Sequence, residues 1–369
     1  MNRDATDDSR SALDARSARA RRRAVLREVV AGLSVLVAVG FMAALGWLVH
    51  DTATRGSAQL EVHPHIVAAV GAPAVRAAKV SFTFDGRSYS IRPHVSGAVY
   101  RGASESTRSL VRTAEQTDRQ WSDAYFECFT GDPAQQPAID DVVAQLRAIK
   151  RRAGMGGDTY LELIAKYVQS IPYDDAQVAS GTLRQRFPVE TLVEGTGLCG
   201  DKSVLLAVLL AHEGYSAALL EFPAESHMAV GVKGRGHTYR SSGWLFLETT
   251  APTYVTDVPE TYAGGMKLTS KPRVHRVGSG TREYGSASDI SRIVRARDGA
   301  EKAASRLYAS AKARPLTVAE AQQVNRKLDI ARTATISLRS NVFDDSNRPV
   351  GEFMDRAQAL RWIARNVWW

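Results

Sequence analysis

Cys199 is one of only two cysteines, and it stands in Gly195-Thr196-Gly197-Leu198-Cys199-Gly200-Asp201-Lys202-Ser203, directly before the apolar run VLLAVLLAHEG. The pattern predicts a helix that starts at the cysteine. A helix N-terminus offers free backbone N–H groups and partial positive charge, which favour thiolate over thiol. Downstream, His227 opens HMAVGV and Glu248 lies in WLFLETT, both strand-like. Cysteine, histidine and carboxylate in that order supply an attacking sulfur, a base and a group that orients the base. The chemistry would be acyl transfer at an amide through a Cys199 thioester, by hydrolysis or by transamidation. The Cys199 N–H is a natural oxyanion donor. The sequence names no second one.

Each of these residues also has an ordinary reading. A cysteine at a helix start can be a small buried side chain, a histidine on a strand can be structural, and Glu248 can cap or pair with an arginine. Asp201 reads as a charge that stabilises the first helical turn. Glu225, two before His227, is a second candidate to orient the ring. His212 falls about 20 Å further along the helix at 1.5 Å per residue, too far to serve as base. Cys128, in AYFECFTG, reads as a small buried hydrophobe. In an oxidising compartment a Cys128–Cys199 disulfide would silence the nucleophile. Cys199, His227, Glu248 and Cys128 could also ligate zinc, but no C-x-x-C or H-x-x-x-H spacing accompanies them. The reading therefore requires no metal and no cofactor. His63-Pro64-His65 reads as linker, and the DDSN run at 344–347 as a turn.

The elements that must position these residues follow from periodicity. VSFTFDGRSYSIRPHV alternates about Asp85-Gly86 and predicts a hairpin. PAIDDVVAQLRAIKRRAG and DTYLELIAKYVQSI place their apolar residues on one helical face, with Asp158 as N-cap of the second. The cysteine helix should end at Gly214. SAALLEF, HMAVGVK and WLFLETT read as strands, with a short extra strand at TYRS. Helical patterns recur at 298–312, 317–340 and 349–367.

The stretches DTYLELIAKYVQSIPYD, FPVETLVEGTGLCGDKSVLLAVLLAHEGYSAALLEFP, HMAVGV and LFLETTAP together resemble the transglutaminase-like superfamily, most nearly its microbial membrane-anchored branch. The likeness covers about residues 79–262. It implies a papain-like α+β core, with the nucleophile helix packed on an antiparallel sheet, and a triad of Cys199, His227 and Glu248. Three positions depart from the common pattern. The third triad member is Glu where Asp is more frequent, Leu198 precedes the cysteine where an acid is frequent, and Gly200 follows it, leaving room beside the sulfur.

Residues 29–49, VVAGLSVLVAVGFMAALGWLV, carry no charge and are long enough to cross a bilayer. Arg16, Arg19, Arg21, Arg22, Arg23 and Arg27 precede them, so the positive-inside rule puts the N-terminus in the cytoplasm and the rest outside. The 369 residues then divide into a disordered cytoplasmic tail (1–28), a transmembrane signal anchor (29–49), a spacer (50–78), a transglutaminase-like domain (79–284) and a helical C-terminal region (285–369). The net charge of +9 sits partly in the leader, and no basic stripe with interleaved aromatics points to nucleic acid. The expected partners are the membrane and a protein or peptide substrate at the cell envelope, acted on by a cysteine protease, amidase or transamidase. The alternative is a non-catalytic transglutaminase-like binding module at the envelope.

Overall fold

Val80–Phe84 (β1) and Arg87–Ile91 (β2) pair antiparallel across Asp85 and Gly86, whose φ values of 52° and 69° give the left-handed turn that Asp-Gly tolerates. The computed structural model describes residues 63–262, 265–311 and 316–337. The tail at 1–28, the apolar run at 29–49, the turn at 344–347 and the helical pattern at 349–367 lie outside these residues. Among the described residues no helix is long and apolar enough to cross a membrane.

Helices Gly97–Glu105 (α1), Asp118–Thr130 (α2), Gln136–Ala153 (α3) and Gly157–Gln169 (α4) come next. The periodicity placed α3 and α4 correctly, and α3 buries Ile139, Val142, Val143, Leu146 and Ile149 as expected. Asp158 is not the cap of α4. Gly156 takes that position, and the Asp158 carboxylate instead accepts from Ser286 Oγ at 2.6 Å and Gly285 N at 3.2 Å. Two short helices, Asp175–Ser180 (α5) and Pro188–Glu194 (α6), lead to Cys199–His212 (α7). Gly195, with φ 69°, ends α6 in the left-handed conformation and turns the chain toward the cysteine.

Helix α7 is apolar all round because it is covered all round. Val204, Leu205, Leu206, Ala207, Leu209 and Leu210 are each 0% exposed. It packs on α4 and on strands Ala217–Phe222 (β3) and His227–Val232 (β4). With Leu245–Leu247 (β5) and Arg273–Val277 (β6), these form an antiparallel sheet of order β5-β4-β3-β6. Side chains alternate between its faces. Leu219, Val230 and Leu247, in register across three strands, join the main core. Leu220, Ala229 and Phe246 point the other way, into a smaller cluster with Phe222, Trp244 and Leu268. Helices with antiparallel sheets agree with the α+β class.

Three elements differ from expectation. TYRS is a 3-10 turn, Tyr239–Ser241, because Tyr239 N–H bonds Trp244 O at 2.8 Å and closes a loop too tight for strand pairing. Strand β6 was not anticipated: RVHRV has only two apolar residues to mark it. The helix expected at 298–312 starts earlier, as Ala287–Ala311 (α8), near the start of the helical region at 285, and Val318–Ser337 (α9) follows. The first turns of α8 belong to the main core through Ala287, Ile290 and Ile293, and Tyr284, also buried, donates to Glu162 at 2.5 Å. Within the spacer, Ile66 and Ala77 are core residues too.

Candidate active site

Cys199 is the first residue of α7, as the sequence predicts. Its local frame is built by Asp201. That carboxylate reaches back to Leu198 N–H at 3.0 Å, and its other oxygen accepts from Arg186 N–H at 2.8 Å and Gln185 Nε2 at 3.1 Å. Asp201 is thus the helix-start stabiliser, now buried, and it fixes the incoming loop as well. Arg186 and Asp174 add an ion pair at 2.6 Å, and Asp174 also accepts from Thr196 Oγ1 at 3.0 Å. The room expected at Gly200 is partly filled. A Cβ there would lie 2.6 Å from Gln185 Oε1, so the glycine admits the amide that holds Asp201.

His227 opens β4 and Glu248 directly follows β5, the neighbouring strand. His227 Nε2 lies 3.0 Å from Glu248 Oε2. Cys199 lines the same cleft as His227 and raises the proton affinity of the ring. Burial disfavours the imidazolium most, yet the Glu248 charge, the Glu248 hydrogen bond and the nearby Cys199 outweigh it, and the His227 pKa is raised. Glu248 moves the other way: burial is overcome by the imidazolium and by Thr250 donors, and its pKa is lowered. Its Oε1 accepts from Thr249 N–H, Thr250 N–H and Thr250 Oγ1 at 2.9, 2.8 and 2.8 Å. The ETT segment is therefore a carboxylate followed by its own donors. Tyr262 lays its ring against His227, centroids 4.7 Å apart.

Two residues that the sequence reading missed support this arrangement. Lys202 is fully buried, and its Nζ donates to Ile171 O at 2.6 Å and Gln169 O at 3.2 Å. Burial brings its pKa down to about 8, against the pull of Glu248 and Cys199. Gln169 then donates to Glu248 O at 2.9 Å, so one chain of bonds joins α7 to the end of β5. The second is Tyr173. Gly197 pairs with it in a parallel bridge just ahead of the cysteine. The residue is 39% open, yet burial followed by the charge at Cys199 pushes the phenol pKa up, so it stays a donor. The SIPYD segment carried the only sequence signal for Tyr173.

The other candidates fall away by position. Glu225 spends its carboxylate on Thr269 and Ser270, with no bond to His227. His212 pairs with Asp140 at 2.7 Å. Both cysteines are free, and Cys128 Sγ faces Ala124 O at 3.3 Å. Among the described residues no cluster of three or more His, Cys, Asp or Glu is arranged for a metal. No protein-family profile, curated protein or solved structure matches the chain.

Proposed function

We propose that the chain is a membrane-anchored, extracytoplasmic, transglutaminase-like cysteine acyltransferase with a papain-like core, acting on peptide or isopeptide bonds at the cell envelope. The observation that carries the reading is His227, bonded to Glu248 and lining one cleft with Cys199. The likeness of the SIPYD, GLCGDKS, HMAVGV and ETT segments points the same way.

In this reading the Cys199 proton already resides on His227, and the thiolate sulfur attacks the amide carbon. The carbonyl pair of electrons moves to oxygen, and Cys199 N–H with the Tyr173 hydroxyl receive the oxyanion. Collapse breaks the C–N bond, and His227 returns the proton to the leaving amine. Water gives the acid on the next attack and an amine gives a new amide. Either nucleophile loses a proton to His227, which restores the thiolate and imidazolium. Glu248 stabilises the imidazolium throughout and fixes the ring. The location rests on residues 29–49 and the arginines before them.

Mass spectrometry of the full chain after an electrophilic amide probe tests the activity. An adduct at Cys199 that vanishes in His227→Ala is the expected result. Absence of labelling at any pH below about 9, above the ordinary thiol pKa, would favour the binding module.

A further inference from the structure

The cleft that holds Cys199 has a volume of about 300 Å³. One wall is aromatic. Trp121, Tyr125 and Phe126 contribute from α2, and Phe222 from the end of β3. Trp121 and Tyr125, one helical turn apart, stack with centroids 5.3 Å apart and planes 16° from parallel. Phe126 and Phe222 behind them are buried, whereas Trp121 and Tyr125 are only half-buried and leave area facing the cleft. Trp121 Nε1 already donates to Leu110 O at 3.0 Å, so this ring has no unmet polar demand.

The wall is held in place from behind. His275 on β6 stands between Asp123 Oδ1 of α2, at 2.5 Å, and Glu221 Oε2 of β3, at 2.9 Å. Ser122 Oγ donates to the same Glu221 oxygen at 3.3 Å. This cluster pins the helix that carries the stacked rings to the sheet that carries His227. It also engages the carboxylate nearest the wall. Arg273 is the cross-strand neighbour of Glu221, and Arg184 is committed to Glu190 at 2.8 Å and Ser104 O at 2.9 Å. A lysine side chain would find a shared carboxylate beside a guanidinium, and an acidic side chain would find one of the two arginines already paired.

We propose that this wall is the acyl-side specificity subsite, and that it takes an aromatic or large aliphatic side chain of the peptide residue whose carbonyl Cys199 attacks. The inference rests on the reading of Cys199 as nucleophile. The acyl half stays bonded to sulfur through the thioester and has to be housed, while the amine half needs an exit. A largely apolar cleft that also holds the sulfur suits the retained half. Side chains that remove apolar surface from water there are selected over small or charged ones.

The test uses full-length protein in detergent and peptidyl vinyl sulfones that differ only at the residue bearing the electrophile. Phe and Leu probes should modify Cys199 at least tenfold faster than Ala or Asp, with Lys slower than Ala. The Phe-to-Ala ratio should fall toward one in Trp121→Ala and in the gentler Tyr125→Leu. Equal rates for Phe and Ala, or a fastest rate for Asp or Lys, would overturn the subsite. If neither these probes nor iodoacetamide modifies Cys199, the nucleophile reading fails and the subsite is judged by binding alone. N-acetyl-phenylalaninamide should then alter tryptophan fluorescence at lower concentration than N-acetyl-alaninamide, with the response lost in Trp121→Phe. No such preference would overturn it.

Discussion

Nε2 of His227 stands 3.0 Å from Oε2 of Glu248, and the two side chains are 6% and 0% exposed. A pair this deep adds little net stability over an apolar replacement, because both charges lost their water. It does hold one ring nitrogen fixed. Every remaining acceptor on Glu248 that bears on its charge is met by Thr249 and Thr250. The geometry suits a base that must change charge without moving.

Glu248→Gln keeps the shape and removes the charge. The His227 pKa is raised, so its contribution is complete below the ordinary 6.5 and is lost as pH climbs through the raised value. The Glu248 pKa is lowered, so its contribution is complete above the ordinary 4.5 and is lost as pH falls through the lowered value. Between 4.5 and 6.5 the wild type should exceed Glu248→Gln by roughly 1.5–3 kcal/mol. Urea melts should show that margin shrinking at alkaline pH. A margin independent of pH would mean the pair is uncharged.

Cys199→Ala should abolish acyl transfer, and Glu248→Gln should leave a measurable fraction, since an orienting group is less essential than the nucleophile. The two thiols should also separate. Burial pushes Cys128 up, and its sulfur turns to Ala124 O within its own helix. At about pH 7, iodoacetamide should therefore modify Cys199 at least tenfold faster than Cys128, read by peptide mapping. Faster modification of Cys128 would count against the assignment.

Much of this was legible because it is local. The start of α7, the Asp85-Gly86 turn, the faces of α3 and α4 and the three strands behind Cys199, His227 and Glu248 each follow from patterns within a dozen residues. What was missed is long-range. Lys202 looks like an ordinary polar residue in the first turn of a helix, and only the approach of Gln169 O and Ile171 O shows where its charge goes. His275 sits in a strand with two arginines, and its partners come from α2 and β3, 152 and 54 residues away. Asp158 looks like a cap in sequence because caps are local; its partners Gly285 and Ser286 are not.

The full chain should sediment with membranes and resist alkaline carbonate extraction, since a spanning segment cannot be washed off. Deletion of residues 1–49 should release it to the soluble fraction. Protease added to intact cells should destroy the chain from about residue 60 onward, as the charge asymmetry around the apolar run requires. Protection in sealed cells would reverse the topology and leave the chemistry of the cleft untouched.

Lys202→Met separates support of the triad from simple burial. Methionine nearly fills the same space but leaves Gln169 O and Ile171 O without the buried donor. Burial depresses Lys202 from 10.5 to about 8, so the folded state carries a cost for the charged form that is relieved as pH rises from about 8 to 10.5. Relative to Lys202→Met, the wild type should gain on the order of 3 kcal/mol across that interval. This slope runs opposite to the one expected from His227. Thermal melts of both proteins at each end of the interval read it directly, and equal shifts in the two would show that Lys202 is not the group titrating. The activity readout distinguishes support from packing. Lys202 loses its proton near 8, below the raised His227 value, so it is already neutral across the alkaline limb of the kcat profile; wild type and Lys202→Met should share that limb and differ in kcat only below about pH 8. A variant that merely packs badly would lose activity at every pH.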